Sequence, residues 1–166
     1  MRRSHPHVAG LLTALAAGLA LAAALASQYW GGLVPCALCL LERWPYRVAI
    51  VLGLAASVLP VRMARAALWL AVLTFLAAAA LGGLHVGVEQ GFWPSPLPEC
   101  AAPTLSTGNL SQMLSSMPLR PSKPCDSPTF LIPDLPLSMA AMNLIYALVL
   151  AIGLATYLTR RPRRRR

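Results

Sequence analysis

Four cysteines carry the most reactive side chains of this sequence: Cys36 and Cys39 in a C-x-x-C, then Cys100 and Cys125. Three chemistries use such a set. Two disulfides could staple loops, four thiolates could hold a zinc ion, or the thiols could exchange disulfides with a partner. A staple between residues three apart adds little to a fold. A zinc site with Cys100 and Cys125 would lack the second close pair of ligands. Exchange fits the C-x-x-C best, because one thiolate is stabilised at a helix start while the second thiol resolves mixed disulfides. Cys39 stands where an apolar segment begins, so the helix dipole and the free N–H groups favour a thiolate there. Arg43 follows at i+4, on the same helical face, where a guanidinium adds to that stabilisation. The plainer reading of such an arginine is a side chain that snorkels to lipid headgroups, and this is the reading of Arg47.

The elements that must hold these groups are apolar. Of the 166 residues, 57% are hydrophobic and 11% charged, against about a quarter charged in a soluble domain. The aliphatic content also excludes a disordered chain. Uncharged stretches cover Val8 to Ser27, Ala66 to Val88 and Leu135 to Thr159, each near the roughly 20 residues that cross a bilayer as a helix. A fourth, from Leu40 to Pro60, carries Glu42, Arg43 and Arg47 in its first two turns. At 1.5 Å per residue it spans about 31 Å, with Pro45 tolerated in its first turn. The expectation is an all-α membrane protein, a single domain of four transmembrane helices over residues 8–28, 40–60, 66–88 and 137–158. Outer loops then cover 29–39 and 89–136, and a tail 159–166. Arg2, Arg3, the apolar run and Ala24-Leu25-Ala26 also resemble a cleaved signal peptide, but the run exceeds the usual apolar length of one.

Net charge is +9, and its placement sets orientation. Arg2, Arg3, Arg62, Arg65, Arg160, Arg161 and Arg163 to Arg166 share one side of a four-span chain, which the positive-inside rule makes cytoplasmic, both termini included. The five acidic residues fall on the opposite side or in its loops. The charge therefore reads as topology, with anionic-lipid attraction at the tail, and not as a nucleic-acid surface. All four cysteines then face the non-cytoplasmic compartment, which in a bacterial cell permits disulfides. The long outer loop from Glu89 to Asp134 holds nine of the fifteen prolines, which excludes regular structure over most of it. Leu110, Met113, Leu114 and Met117 fall on one helical face between Asn109 and Pro118. They predict a short helix, either covering the bundle or lying in the lipid interface.

The run Pro35-Cys36-Ala37-Leu38-Cys39-Leu40-Leu41-Glu42-Arg43-Trp44-Pro45-Tyr46 resembles the P-C-x-L-C-x-x-x-R-x-P-Y signature of the disulfide bond formation protein B (DsbB) family. His85-x-Gly87-Val88-Glu89, then Trp93-Pro94-Ser95-Pro96 ahead of Cys100, and Leu137-Ser138-Met139-Ala140 with Asn143 are similar to later parts of the same pattern. The resemblance runs the length of the chain. It implies an inner-membrane protein-dithiol:quinone oxidoreductase that reoxidises a periplasmic thioredoxin-fold dithiol oxidase (DsbA-like) and passes electrons to ubiquinone or menaquinone. By position, Cys100 forms the mixed disulfide with the partner and Cys125 relays the exchange to Cys36. Cys39 meets the quinone as a thiolate, Arg43 stabilises charge and quinone, and His85 is a candidate quinone hydrogen-bond donor. Glu89 and Gln90 read as ordinary loop polar residues. The vitamin K epoxide reductase-like family has a similar outline, but its C-x-x-C lies late in the chain. A non-enzymatic scaffold held by disulfides or zinc is the remaining alternative.

Overall fold

The computed structural model describes residues 6–97, 100, 123–131 and 136–160, and these form four helices. They are α1 (Pro6–Tyr29), α2 (Ala37–Val58), α3 (Val61–Glu89) and α4 (Met139–Thr159). No strand occurs among the described residues, only a single antiparallel bridge between Phe130 and Ser138. The expected helix over Leu110–Met117 lies outside the described residues, as do Glu99, Asp134 and the terminal arginines except Arg160.

Each helix packs on the next, and α1 also touches α3. Three of them, α1, α3 and α4, are long and apolar enough to cross a membrane. The fourth, α2, is of comparable length at 22 residues, and Glu42, Arg43 and Arg47 lie in its first half.

The bundle is built inside out relative to a soluble one. Its interior is dominated by alanine: Ala17, Ala49, Ala78, Ala79, Ala147 and Ala151 surround Tyr46 and Phe75. Its large aliphatic residues point outward, among them Leu12, Leu19, Val51, Leu73, Val149 and Ile152. Small residues let helix backbones approach where lipid gives no hydrophobic drive between them. The crossing of α1 and α2 shows the limit: a Cβ on Gly10 would stand 2.6 Å from the Gly53 carbonyl oxygen. A Cβ on Gly53 would stand 2.7 Å from both Gly10 O and Ala14 N.

Three boundaries differ from expectation for local reasons. α2 starts at Ala37, ahead of residue 40, because the Cys36 side chain accepts the Cys39 N–H and caps the helix. Pro45 consequently lies inside α2 and not in its first turn, where it removes the N–H that the Leu41 carbonyl would otherwise accept. α3 begins at Val61, directly after Pro60. Its other end closes with Gly91 at φ 73°, Gly91 N–H to Val88 O and Phe92 N–H to Gly87 O. This is the paired bonding of a Schellman cap, which needs the left-handed conformation glycine adopts freely.

One end of the bundle gathers Ala9, Leu59, Ala64, Leu68 and Leu158 into a cluster. There an Arg65 Nη2–H bonds the Leu158 carbonyl at 3.0 Å, satisfying one of the carbonyls left free where α4 ends. The start of α1, the α2–α3 turn and the end of α4 therefore share that end. The cysteines lie at the other.

Candidate active site

The Schellman turn after α3 folds the chain back so that Trp93 lies over Gly87, where a Cβ would collide with the indole ring. The indole N–H bonds Leu84 O at 3.1 Å. That return brings Cys100 to the bundle, where it is disulfide-bonded to Cys125. Cys36, Leu38, Val88, Cys100 and Cys125 then form one buried cluster, with Cys39 packed against it. All four cysteines expected at the site are thus brought together from segments far apart in sequence. Cys100 and Cys125 are bonded to each other, so Cys36 and Cys39 are the two free thiols of the cluster.

Cys36 and Cys39 are free, their Sγ atoms 2.7 Å apart. A disulfide between them needs a closure of about 0.7 Å. The Cys36 sulfur accepts the Cys39 N–H at 3.1 Å and faces His85 Nε2 at 3.5 Å. The side-chain hydrogen bond between Cys36 and Cys39 holds the Cys36 thiol below the ordinary cysteine range, although burial opposes it. The helix-start anion position expected for Cys39 is therefore occupied by the Cys36 sulfur. An N-cap side chain reaches the free N–H groups, whereas residue 39 already belongs to the first turn.

Four α2 side chains, Cys39, Glu42, Arg43 and Tyr46, fall at i, i+3, i+4 and i+7 and line a cavity of about 450 Å³. Its other walls come from α1, including Ala24 and Gln28, and from α4, including Asn143 and Tyr146. Arg43 is 8% exposed. Its guanidinium bonds Gln28 Oε1 at 2.8 Å and Ala24 O at 3.3 Å, both on α1, and not the Cys39 sulfur. Its Nε is buried and has no partner among the described residues. Arg47, by contrast, is exposed and lies over the Trp44 ring at 5.0 Å.

His85, 3% exposed, is not among the residues lining the cavity. Its Nδ1 lies 2.8 Å from Glu42 Oε1, and its Nε2 is turned to Cys36. The ring thus stands between the Cys36 sulfur and the Glu42 carboxylate.

Glu42 carried no assigned role in the sequence, yet it joins the two sides. It lines the cavity, pairs with His85, and accepts the Asn143 Nδ2–H on its second oxygen at 3.0 Å. Tyr46 O–H in turn donates to Asn143 Oδ1 at 2.6 Å. An unbroken set of polar contacts therefore runs from Tyr46 through Asn143, Glu42 and His85 to Cys36 and Cys39. The legible signal was a carboxylate three residues after Cys39 within an apolar segment, which is costly unless paired. Glu89 is likewise no idle loop residue: Ser138, the N-cap of α4, donates its hydroxyl to it. The His85–Glu89 and Leu137–Asn143 motifs thus meet in space.

Against the family model described as "Disulfide bond formation protein DsbB", residues 6–157 match. The chain belongs to the DsbB family. An uncharacterized protein of Rickettsia prowazekii (strain Madrid E) is 30% identical over 145 residues, covering 84% of this chain and 80% of that one. No solved structure matches. Membership of the DsbB family points to a disulfide-forming membrane thiol oxidoreductase, and the cysteine cluster supplies the thiols such chemistry needs.

Proposed function

We propose that this DsbB-family chain is a protein-dithiol:quinone oxidoreductase of the bacterial inner membrane, with four spans, cytoplasmic termini and its cysteines facing the periplasm. The observation that carries the reading is the division of the C-x-x-C between two environments. Cys36 joins the buried cluster with Cys100 and Cys125, while Cys39 lines the cavity beside Arg43. A thiol relay that ends at a small oxidant needs that division.

A DsbA-like dithiol attacks Cys100, the Cys100–Cys125 bond breaks, and a mixed disulfide forms. The partner's second thiol resolves it, releasing the oxidised partner and leaving Cys100 and Cys125 as thiols. Cys100 is 4% exposed, so attack requires its segment to lift from the cluster. Cys125 thiolate then attacks Cys36 of an oxidised Cys36–Cys39 pair, and Cys100 completes the exchange. Two electrons and two protons now reside on Cys36 and Cys39.

Membrane quinone, ubiquinone or menaquinone, would supply a two-electron, two-proton acceptor. The cavity suits its ring: the volume lies in the range of small-molecule sites, and Arg43 Nε offers a buried donor without a partner. Arg43 would hold a carbonyl oxygen there, and Cys39 would deliver the electron pair as the Cys36–Cys39 disulfide re-forms. Glu42, with His85 on one oxygen and Asn143 on the other, connects the thiols to the cavity for the accompanying protons. The test is trapping in cells. A Cys125→Ser chain should accumulate a mixed disulfide between Cys100 and a soluble periplasmic oxidase, and failure to trap any partner through Cys100 overturns the relay.

A further inference from the structure

The sulfur atoms of Cys36 and Cys39 and the ring nitrogen of His85 lie within 4.8 Å of one another. This is a ligand set as well as a redox pair. The 3.5 Å between Cys36 Sγ and His85 Nε2 is close to the edge of a tetrahedron built from zinc–sulfur and zinc–nitrogen bonds of about 2.3 and 2.0 Å. The sulfur atoms, at 2.7 Å, would have to open by about 1 Å to reach the matching sulfur–sulfur edge. Behind the imidazole, Glu42 Oε1 sits 2.8 Å from Nδ1. That is the carboxylate–histidine arrangement which fixes the tautomer of a metal-binding imidazole and raises its basicity. Glu42 is itself held by Asn143. Cys39 lies at the cavity wall, so a fourth ligand such as water has space on that side.

We propose that the reduced Cys36–Cys39–His85 cluster binds one Zn²⁺, with Glu42 as the outer carboxylate. Two thiol protons leave as the cation enters, and no electron moves. The resulting unit of one dication and two thiolates is neutral, which favours it in a buried setting. Zinc and the Cys36–Cys39 disulfide exclude each other, because oxidation consumes the two thiolates that would bind the cation. The cation thereby holds the dithiol reduced and blocks electron transfer until it leaves. The site differs from a four-thiolate scaffold in using His85 and in sparing Cys100 and Cys125.

This inference shares residues with the oxidoreductase reading but is measured separately from it. The full chain, purified in detergent with Cys100→Ser and Cys125→Ser, is reduced with a phosphine and titrated with Zn²⁺ alone, then with Co²⁺ as the spectroscopic probe. The expected result is one equivalent bound per chain, with thiolate-to-cobalt charge-transfer and tetrahedral bands. Oxidising the same sample to the Cys36–Cys39 disulfide should abolish binding, a comparison that needs no further variant. Glu42→Gln should weaken binding about 10- to 100-fold, and His85→Ala by at least as much. Substoichiometric binding, binding that survives oxidation, or affinity unchanged in His85→Ala would each overturn the site. Quinone reduction in zinc-free buffer remains the test of the oxidoreductase, so the two can fail independently.

Discussion

At one end of the bundle Ala56, Ala64, Ala67, Leu68, Val72 and Leu158 close the interior with small and aliphatic side chains. At the other, the same four helices bury Glu42, Arg43 and His85 beside two pairs of cysteines. Both ends face one requirement, that polar groups find partners where water is scarce. The first avoids polar groups almost entirely and uses Arg65 to finish α4. The second accepts them and joins Tyr46, Asn143, Glu42 and His85 into one set of contacts. The one buried nitrogen left over among the described residues, Arg43 Nε, belongs to a cavity-lining side chain. Incomplete satisfaction at the polar end thus coincides with the place where a ligand would bind.

The polar end depends most on Cys39. Cys39→Ser should reduce quinone reduction by a dithiol substrate to background, and unchanged turnover would remove the cavity from the reaction. Glu42→Ala comes next, because it strips His85 and Asn143 of their shared acceptor. Turnover should fall about 100-fold, in the range of lost acid–base assistance. Stability should fall by about 1–3 kcal/mol for the groups left unpaired, read from thermal unfolding in detergent. If turnover were preserved while stability fell, the polar end would be structural only.

Arg43→Ala should raise the KM for quinone about tenfold or more, the loss of one charge-assisted hydrogen bond, with a smaller change in kcat. An unchanged KM would reduce Arg43 to a tie between α2 and α1. Cys39→Ala should move the thiolate titration of Cys36 upward, because the side-chain hydrogen bond that lowers it is gone. Between the lowered wild-type pKa and the ordinary cysteine range, the variant should show less thiolate absorbance than the wild type. At the other end, Gly53→Val should separate α1 from α2 and cost about 1–3 kcal/mol while leaving the KM for quinone unchanged. A KM shift there would show that the two ends are coupled.

Much of this division was legible in the residues. The uncharged stretches overlap α1, α3 and α4, the three helices long and apolar enough to cross a membrane. The stripe from Cys39 to Tyr46 was likewise readable, because helical spacing puts i, i+3, i+4 and i+7 on one face. What the spacing did not contain was the partner of each side chain. Arg43 has two neighbours within reach, Cys39 along its own helix and Gln28 across the crossing, and only the packing of α1 on α2 selects Gln28. His85 lies 43 residues from Glu42, a pairing that depends on how α2 is rotated against α3. The capping role of Cys36 was missed because the helix was expected to begin at residue 40, three residues beyond where its sulfur allows it to start.

Direct passage of electrons from Cys36 and Cys39 into the cavity is the step on which the proposed reaction turns. It is tested most directly with the Cys100→Ser, Cys125→Ser chain, fully reduced and mixed with a water-soluble quinone in zinc-free buffer. One equivalent of quinol per chain, appearing together with a Cys36–Cys39 disulfide by mass, is the predicted result. A reduced chain that leaves the quinone oxidised and both thiols free would contradict it.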